Sequence, residues 1–208
     1  STYAILQSSV SAGPNYDLTY SGANLTIAVG AQSITVVTSS PLSAPYNTNF
    51  NVAATATSSL PVTITTTGGA CSGGGVNGVA TITMLSGTGV CTIHYNQAGD
   101  ANYTPALEVI ENTNAQKADQ AINVNIPAPA NATYNTGFNV AATATSGLTV
   151  TYTATGICTN VGSNYTVTSG TGVCTVQYNQ AGDANYNPAP QVTNTTNAQK
   201  ANQTINVT

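Results

Sequence analysis

The sequence predicts an all-β chain of tandem β-sandwiches, and three observations carry that expectation. First, the nine residues Tyr95-Asn-Gln-Ala-Gly-Asp-Ala-Asn-Tyr103 return unchanged as Tyr178–Tyr186, and a repeat at fixed spacing marks an array of one folding unit. Second, apolar residues alternate with polar ones along short runs, the period of a strand with one buried face. Third, no window shows a helical period, so almost no helix is expected.

The register of the repeat follows from other matched blocks. Tyr46–Leu60 and Tyr134–Leu148 differ only at Asn49/Gly137 and Ser59/Gly147. Most of the residues that the second copy lacks lie between its cysteines, and such changes belong in loops. Asn114-Ala-Gln-Lys-Ala-Asp-Gln120 is matched by Asn197-Ala-Gln-Lys-Ala-Asn-Gln203. Each Gln opens a strand-like run, as Gln32 does before Ser-Ile-Thr-Val-Val. The chain therefore divides into residues 1–31, a first repeat at 32–119, a second at 120–202, and a third opening at 203–208. Units of 83 to 88 residues can each own one thin core.

In residues 1–31 three strands are expected, marked by Tyr3 and Ile5; by Tyr16, Leu18 and Tyr20; and by Leu25, Ile27 and Val29. Three strands with one apolar face are half a sandwich, which does not stand alone in water. In the first repeat, strands are marked by Ile34/Val36, Phe50/Val52/Ala54/Ala56 and Val62/Ile64. Past a glycine-rich stretch, Gly68 to Gly78, come Ala80/Ile82/Met84, Val90–Tyr95 and a last strand at Ala106–Ile110. The second repeat gives Ile122/Val124, Phe138/Val140/Ala142, Val150/Tyr152, Tyr165/Val167 and Val173/Val176. Thr fills most intervening positions, keeping β propensity on the solvated face. Regular spacing and unit size point to Ig-like sandwiches.

Two motifs add a resemblance. The pattern N-Y-x-L-x-Y-x-G-x-x-L-x-I at Asn15–Ile27 resembles the closing hairpin of the MBG type of bacterial surface repeat, covering about the last third of such a domain. Ser59-Leu-Pro-Val62, Gly147-Leu-Thr-Val150, and Q-A-G-D-A-N-Y-x-P-A at Gln97–Ala106 and Gln180–Ala189 look like the Ig-like repeats of large bacterial surface proteins. That likeness spans Gln32 to Gln203. It implies a structural, extracellular role.

Composition excludes several functions. Charged residues are 4% of the chain against about 25% ordinarily, and two lysines cannot form a basic stripe for nucleic acid. No apolar run is long enough to span a bilayer as a helix. No signal peptide is visible, and the chain is read as a processed or trimmed piece of something longer. His94 is the one histidine, replaced by Gln177 in the second copy and without a carboxylate near it in sequence, so neither a general base nor a zinc site is expected. No enzyme activity and no cofactor are expected.

Cys71 with Cys91 and Cys158 with Cys174 fall two per repeat, making one disulfide within each repeat the economical connectivity. That implies an oxidising, extracellular setting; reduced buried thiols are the alternative. Asp100 and Asp183 are read as turn residues at a corner that anchors a tyrosine hydroxyl. The alternative is calcium, but one carboxylate per motif falls short of the usual oxygen shell. Lys117 and Lys200 hold one place in the connection and are read as exposed, solubilising charges rather than isopeptide formers. Glycosylation sequons stand at Asn24, Asn102, Asn131, Asn164, Asn194, Asn202 and Asn206.

The connection Asn114–Asp119 holds no glycine or proline and reads as a strand-to-strand passage, so stiffly linked units are expected. The unmatched ends suggest how copies join. Gln203, Thr204, Ile205, Asn206 and Val207 would donate a strand to the partial sandwich of Tyr3, Ile5, Tyr16, Leu18, Tyr20, Leu25 and Ile27 in the next molecule. The partner is thus the chain itself, in a head-to-tail homopolymer, with covalent glycans as a further possibility. Two other readings are the cropped stalk of a giant adhesin and a carbohydrate-binding accessory module. The last is disfavoured by the absence of Trp.

Overall fold

The computed structural model describes residues 2–5, 14–15, 23–26 and 28–207. Among these it is all-β, without a helix. Strands β1 (Thr2–Ile5) and β2 (Ala23–Thr26) pair antiparallel, Tyr3 opposite Leu25 and Ile5 opposite Ala23. Tyr16, Leu18, Tyr20 and Ile27 lie outside the described residues. Val29, expected to extend the third strand, is instead half exposed in a connection.

The first repeat contributes β3 (Ile34–Thr38), β4 (Ser43–Pro45), β5 (Asn49–Ala56), β6 (Thr63–Thr67), β7 (Cys71–Gly75), β8 (Val79–Met84), β9 (Val90–Asn96) and β10 (Val109–Gln116). On one side β3, β5 and β8 pair in turn; on the other run β6, β9, β10 and, parallel to β10, β4. β7 joins both sides, pairing with β8 through Cys71–Gly73 and with β6 through Gly74 and Gly75. This strand order is that of an Ig-like sandwich.

β7 lies within the glycine-rich stretch Gly68 to Gly78, where apolar alternation marks no strand. Its glycines are there because the neighbouring backbone is too close for side chains: a Cβ at Gly73 would stand 2.4 Å from the Thr81 carbonyl oxygen, and one at Gly75 2.0 Å from that of Val79.

The second repeat contains β11 (Ile122–Ile126), β12 (Asn131–Thr133), β13 (Gly137–Asn139), β14 (Ala141–Ala144), β15 (Thr151–Gly156), β16 (Cys158–Val161), β17 (Asn164–Val167), β18 (Val173–Asn179) and β19 (Val192–Gln199). Pairing follows the first copy, with β11 on β14, β13–β17–β16, and β12–β19–β18–β15, except that β16 pairs with β17 alone and not with β15 as β7 does with β6. The cysteines are 16 residues apart rather than 20. The shortening falls in the β16–β17 hairpin, whose turn is Gly162-Ser163 between paired Val161 and Asn164.

Each repeat has its own core. Val52, Ile64, Ile82, Ile93 and Tyr95 are fully buried in the first, Val140, Tyr165, Val176 and Tyr178 in the second. Burying such a side chain contributes about 1.5–3 kcal/mol. Disulfides Cys71–Cys91 and Cys158–Cys174 tie β7 to β9 and β16 to β18, with Cα atoms 5.3 Å apart in both. Val173 and Val176 do not share a face, as three residues' separation on a strand dictates: Val173 is 44% exposed and Val176 buried.

The last strand of the first repeat is not Ala106–Ile110 but β10, which runs on through the first half of the connection, to Gln116. Leu107 is 89% exposed. The inward positions of β10 carry Glu111 and Thr113, polar residues that an apolar alternation cannot reveal. Buried Thr113 donates from Oγ1 to the Pro41 carbonyl at 2.7 Å, and Glu111 accepts the Tyr95 hydroxyl at 2.6 Å. Thr196 and Asn194 repeat these bonds to Pro129 and Tyr178. Such buried polar groups are tolerated because each is paired.

Candidate functional site

The connection between repeats and the repeated Q-A-G-D-A-N-Y corner form the site. In the second repeat the corner follows β18. Asp183 accepts the N–H groups of Asn185 and Tyr186 on Oδ1, at 2.7 and 2.8 Å, closing an Asx turn. Gly182 has φ +73°, and a Cβ there would stand 2.3 Å from the Tyr186 carbonyl oxygen. The first repeat builds the same corner around Asp100.

The aspartates are thus turn residues, as read from the sequence, but the anchored-hydroxyl corner is corrected. The backbones of Tyr103 and Tyr186 are what the structure holds. The hydroxyl anchors belong to Tyr95, on Glu111; Tyr178, on Asn194; and Tyr165, on the Thr153 carbonyl.

The opening glutamines lock onto these corners. Gln120, buried, donates from Nε2 to Gln180 Oε1 at 2.6 Å and to the Asn187 carbonyl at 2.7 Å, while its Oε1 accepts the Ser146 hydroxyl. Gln32 makes the matching set with Gln97, the Thr104 carbonyl and Ser58. Sequence reading marked Gln32 and Gln120 as openings but missed their role; their exact recurrence opposite Gln97 and Gln180 was the available signal.

Three elements of the first repeat meet the second repeat's corner. From the connector, Ala118 N–H donates to the Asn185 carbonyl at 2.8 Å, and the Ala118 carbonyl accepts from Asn187 N–H at 2.9 Å. From the β8–β9 loop, Gly87 N–H donates to Asn185 Oδ1 at 2.9 Å. A Cβ at Gly87 would lie 2.7 Å from the Ala184 carbonyl oxygen, so the approach requires glycine. From the β4–β5 turn, the Tyr46 ring meets Tyr186 edge to face, centroids 5.4 Å apart. Asn187 Nδ2 adds a bond to Asp119 at 2.8 Å. The corner of the first repeat is held alike by Gly30, whose N–H donates to the Asn102 carbonyl at 2.7 Å.

His94 is not the unpartnered residue the sequence suggested. Its Nδ1 lies 2.9 Å from Glu108 Oε1 and its Nε2 2.9 Å from Thr67 Oγ1, because the β9–β10 excursion returns Glu108 beside it. Donation from Asn96, then His94, holds the Glu108 carboxyl below its ordinary range. The second repeat has Gln177 and Gln191 at these places, hydrogen-bonded to Thr153 and Asn179. Glutamines there keep a hydrogen-bonded chain without a proton to exchange, which fits a strand-bracing role. Among the described residues no group of three His, Cys, Asp or Glu side chains is placed to hold a metal ion.

Gln203, Thr204, Ile205, Asn206 and Val207 are exposed and in no strand, with Ile205 80% and Val207 94% accessible. Tyr3, Ile5 and Leu25 lie in the β1–β2 ladder. Lys117 and Lys200 are exposed. Of the sequon residues, Asn102, Asn131, Asn164, Asn202 and Asn206 are exposed, Asn24 lies in β2, and Asn194 is half-buried with its amide engaged by Tyr178. No helix of the described residues is long and apolar enough to cross a membrane.

No protein-family model matches the chain, and no curated protein matches it in sequence. Among solved structures, it is similar to a segment of titin Ig domains, I67–I69 in an E-to-A variant, at 14% identity and a TM-score of 0.34. The match covers 80% of this chain and 65% of that one, less than two thirds of the titin segment.

Proposed function

We propose that this protein is a structural subunit of an extracellular filament or surface fibre, extended by linked Ig-like units and joined head to tail by strand complementation. The observation that carries the reading is the joint at Ala118–Asn187, where backbone, loop and aromatic contacts converge on one corner. A connector bonded at both its N–H and C=O resists bending far better than a free linker. The two disulfides suit an oxidising compartment and a load-bearing chain, since each limits how far its sandwich opens.

Strand donation is supported by a pattern. Gln-x-Ile-x-Val occurs at Gln32, Gln120 and Gln203. The first two instances are docked, with β3 on β5 and β11 on β14; the third is exposed. Among the described residues β1 and β2 form a two-stranded ladder, and such a ladder is marginal in water and gains from a further strand. The contact is heterologous, so it propagates as an open filament.

Electron microscopy and sedimentation of the intact protein test this. Filaments that disappear when Gln203–Thr208 is removed support strand donation; assembly unaffected by that truncation rejects it. The stalk of a larger adhesin is the second reading, favoured by Gln203 following Lys200 in the register that Gln120 keeps after Lys117. Intact-mass measurement of the native polypeptide separates the two.

A further inference from the structure

Strand register brings three side chains together on the outer face of the β6–β9–β10 sheet. His94 on β9 stands opposite Thr65 on β6 and Ile110 on β10. Thr67 and Glu108, each two positions along from one of those partners, share its face, because side chains alternate across a strand. They lie on its diagonals, within reach of a long side chain. The result is a relay: Thr67 Oγ1 is 2.9 Å from His94 Nε2, and His94 Nδ1 is 2.9 Å from Glu108 Oε1. Asn96 Nδ2 donates to the same Glu108 oxygen at 2.9 Å.

The direction of each bond follows from the carboxylate. Glu108 is ionised at neutral pH and can only accept, so a neutral imidazole carries its proton on Nδ1. Nε2 then keeps its lone pair toward Thr67, whose hydroxyl is the donor in that bond. A hydroxyl held on an imidazole nitrogen, with the ring oriented by a carboxylate, is the arrangement that activates an oxygen nucleophile.

Thr67 is exposed at the end of β6. Gly68 and Gly69 follow it at φ +96° and +73°, and among the described residues neither N–H meets an acceptor. A backbone N–H directly after a nucleophile is a recurrent donor to the oxyanion formed there. Ile110, 50% exposed, sets an apolar side chain beside the imidazole. The second repeat has Thr155 at the place of Thr67, but Gln177 and Thr193 at those of His94 and Ile110. Gln177 bonds Thr153 instead. The fold therefore does not need this relay.

We infer that Thr67 Oγ1 is a nucleophile that takes an acyl group from small esters, with His94 as its base and Glu108 positioning the ring. As Oγ1 bonds to the acyl carbon, its proton passes to Nε2. The imidazolium gives that proton to the departing alcohol oxygen as the ester C–O bond breaks. Water then attacks the acyl carbon while Nε2 takes its proton, and the proton returns to Thr67 Oγ1 as the carboxylic acid leaves. The sum is hydrolysis of an ester to an acid and an alcohol. The relay stands on an open sheet face, which suits a short acyl group such as acetyl. This activity is independent of filament assembly.

The test treats the full chain with p-nitrophenyl acetate, quenches it in acid and locates acetyl groups by peptide mass. An aryl ester is a more activated donor than the alkyl ester left on Thr67, so the adduct accumulates. Thr67 should be labelled on the order of 100-fold faster than Thr155, the effect of a positioned base. Lys117 and Lys200 report ordinary surface reactivity. His94→Gln should slow Thr67 to the rate of Thr155, and Thr67→Ser should keep the labelling. The second repeat folds with Gln177 in that place, and an unchanged melting temperature will show His94→Gln folded. Glu108→Ala should slow the labelling by about tenfold or more. It should also move the ring-nitrogen NMR signals of His94, the one histidine, away from the Nδ1–H tautomer. Equal labelling of Thr67 and Thr155, labelling undiminished in His94→Gln, or an Nε2–H imidazole in the parent would each overturn the inference.

Discussion

Gln120 and Gln180, 60 residues apart in sequence, are joined by a 2.6 Å hydrogen bond that fastens the opening strand of the second repeat to its far corner. Gln32 and Gln97 do the same in the first. Replacing Gln120 with Ala removes one partner from several buried bonds at once. The expected loss is about 1–3 kcal/mol from the second repeat, the usual consequence of a stranded buried polar group. Urea melts should show it, with the first repeat unmoved; Gln32→Ala should give the reverse.

Ala118→Pro removes the N–H that bonds the Asn185 carbonyl. Each repeat should melt within about 0.5 kcal/mol of the parent, since neither core is touched. The orientation between repeats should loosen, read as different rotational correlation times for the two units in NMR relaxation. A pair that still tumbles as one body would show that Gly87 and Tyr46 suffice for the joint.

Reduction of Cys71–Cys91 and Cys158–Cys174 should lower the melting temperature of both repeats. A small domain typically loses about 2–5 kcal/mol with its disulfide. Calorimetry with and without reductant reads this directly, and an unchanged thermogram would count against a mechanical role for the bonds.

Alkaline pH should unfold the chain through its tyrosines. Burial pushes Tyr165 up to about 12 from an ordinary 10.0, and it raises Tyr95 further, helped by the Glu111 carboxylate. A folded state that holds its protons more tightly than the unfolded state keeps full stability below about pH 10, then loses it as pH climbs through the raised values. Absorbance at 295 nm should therefore show the exposed tyrosines ionising first. The buried ones should follow together with the loss of far-UV structure.

Acid should act on the first repeat through Glu108. Its carboxyl is held low by Asn96 and His94, so the contribution is present above the ordinary carboxylate pKa of about 4.3 and fades as pH falls below it. Glu108→Gln should flatten that part of the first repeat's acid profile. The second repeat carries Gln191 there and should not respond.

Much of the architecture was legible in the sequence, and the failures have common causes. Alternation found strands wherever the inward residues were apolar, as at Phe50–Ala56 and Tyr165–Val167. It missed β10 and β19 because Glu111, Thr113, Asn194 and Thr196 face inward and are satisfied by partners such as Tyr95 and Pro41, distant in sequence. β7 was missed because its glycines look like a loop, although close packing between β6 and β8 is what excludes side chains. Glu108 was overlooked as a partner for His94 because a hairpin, not a local spacing, brings them together.

By itself the sequence determined the all-β class and the cysteine pairs, because strand periodicity and the repeated placement of cysteines are properties of order along the chain. Tertiary structure alone decided which polar residues go inside and which corner meets which face. Those depend on carbonyls and amides supplied from some 60 to 100 residues away, at Gln180 for Gln120 and at Asn185 for Gly87. A hydrogen bond is satisfied by proximity in space, and only the folded backbone sets that.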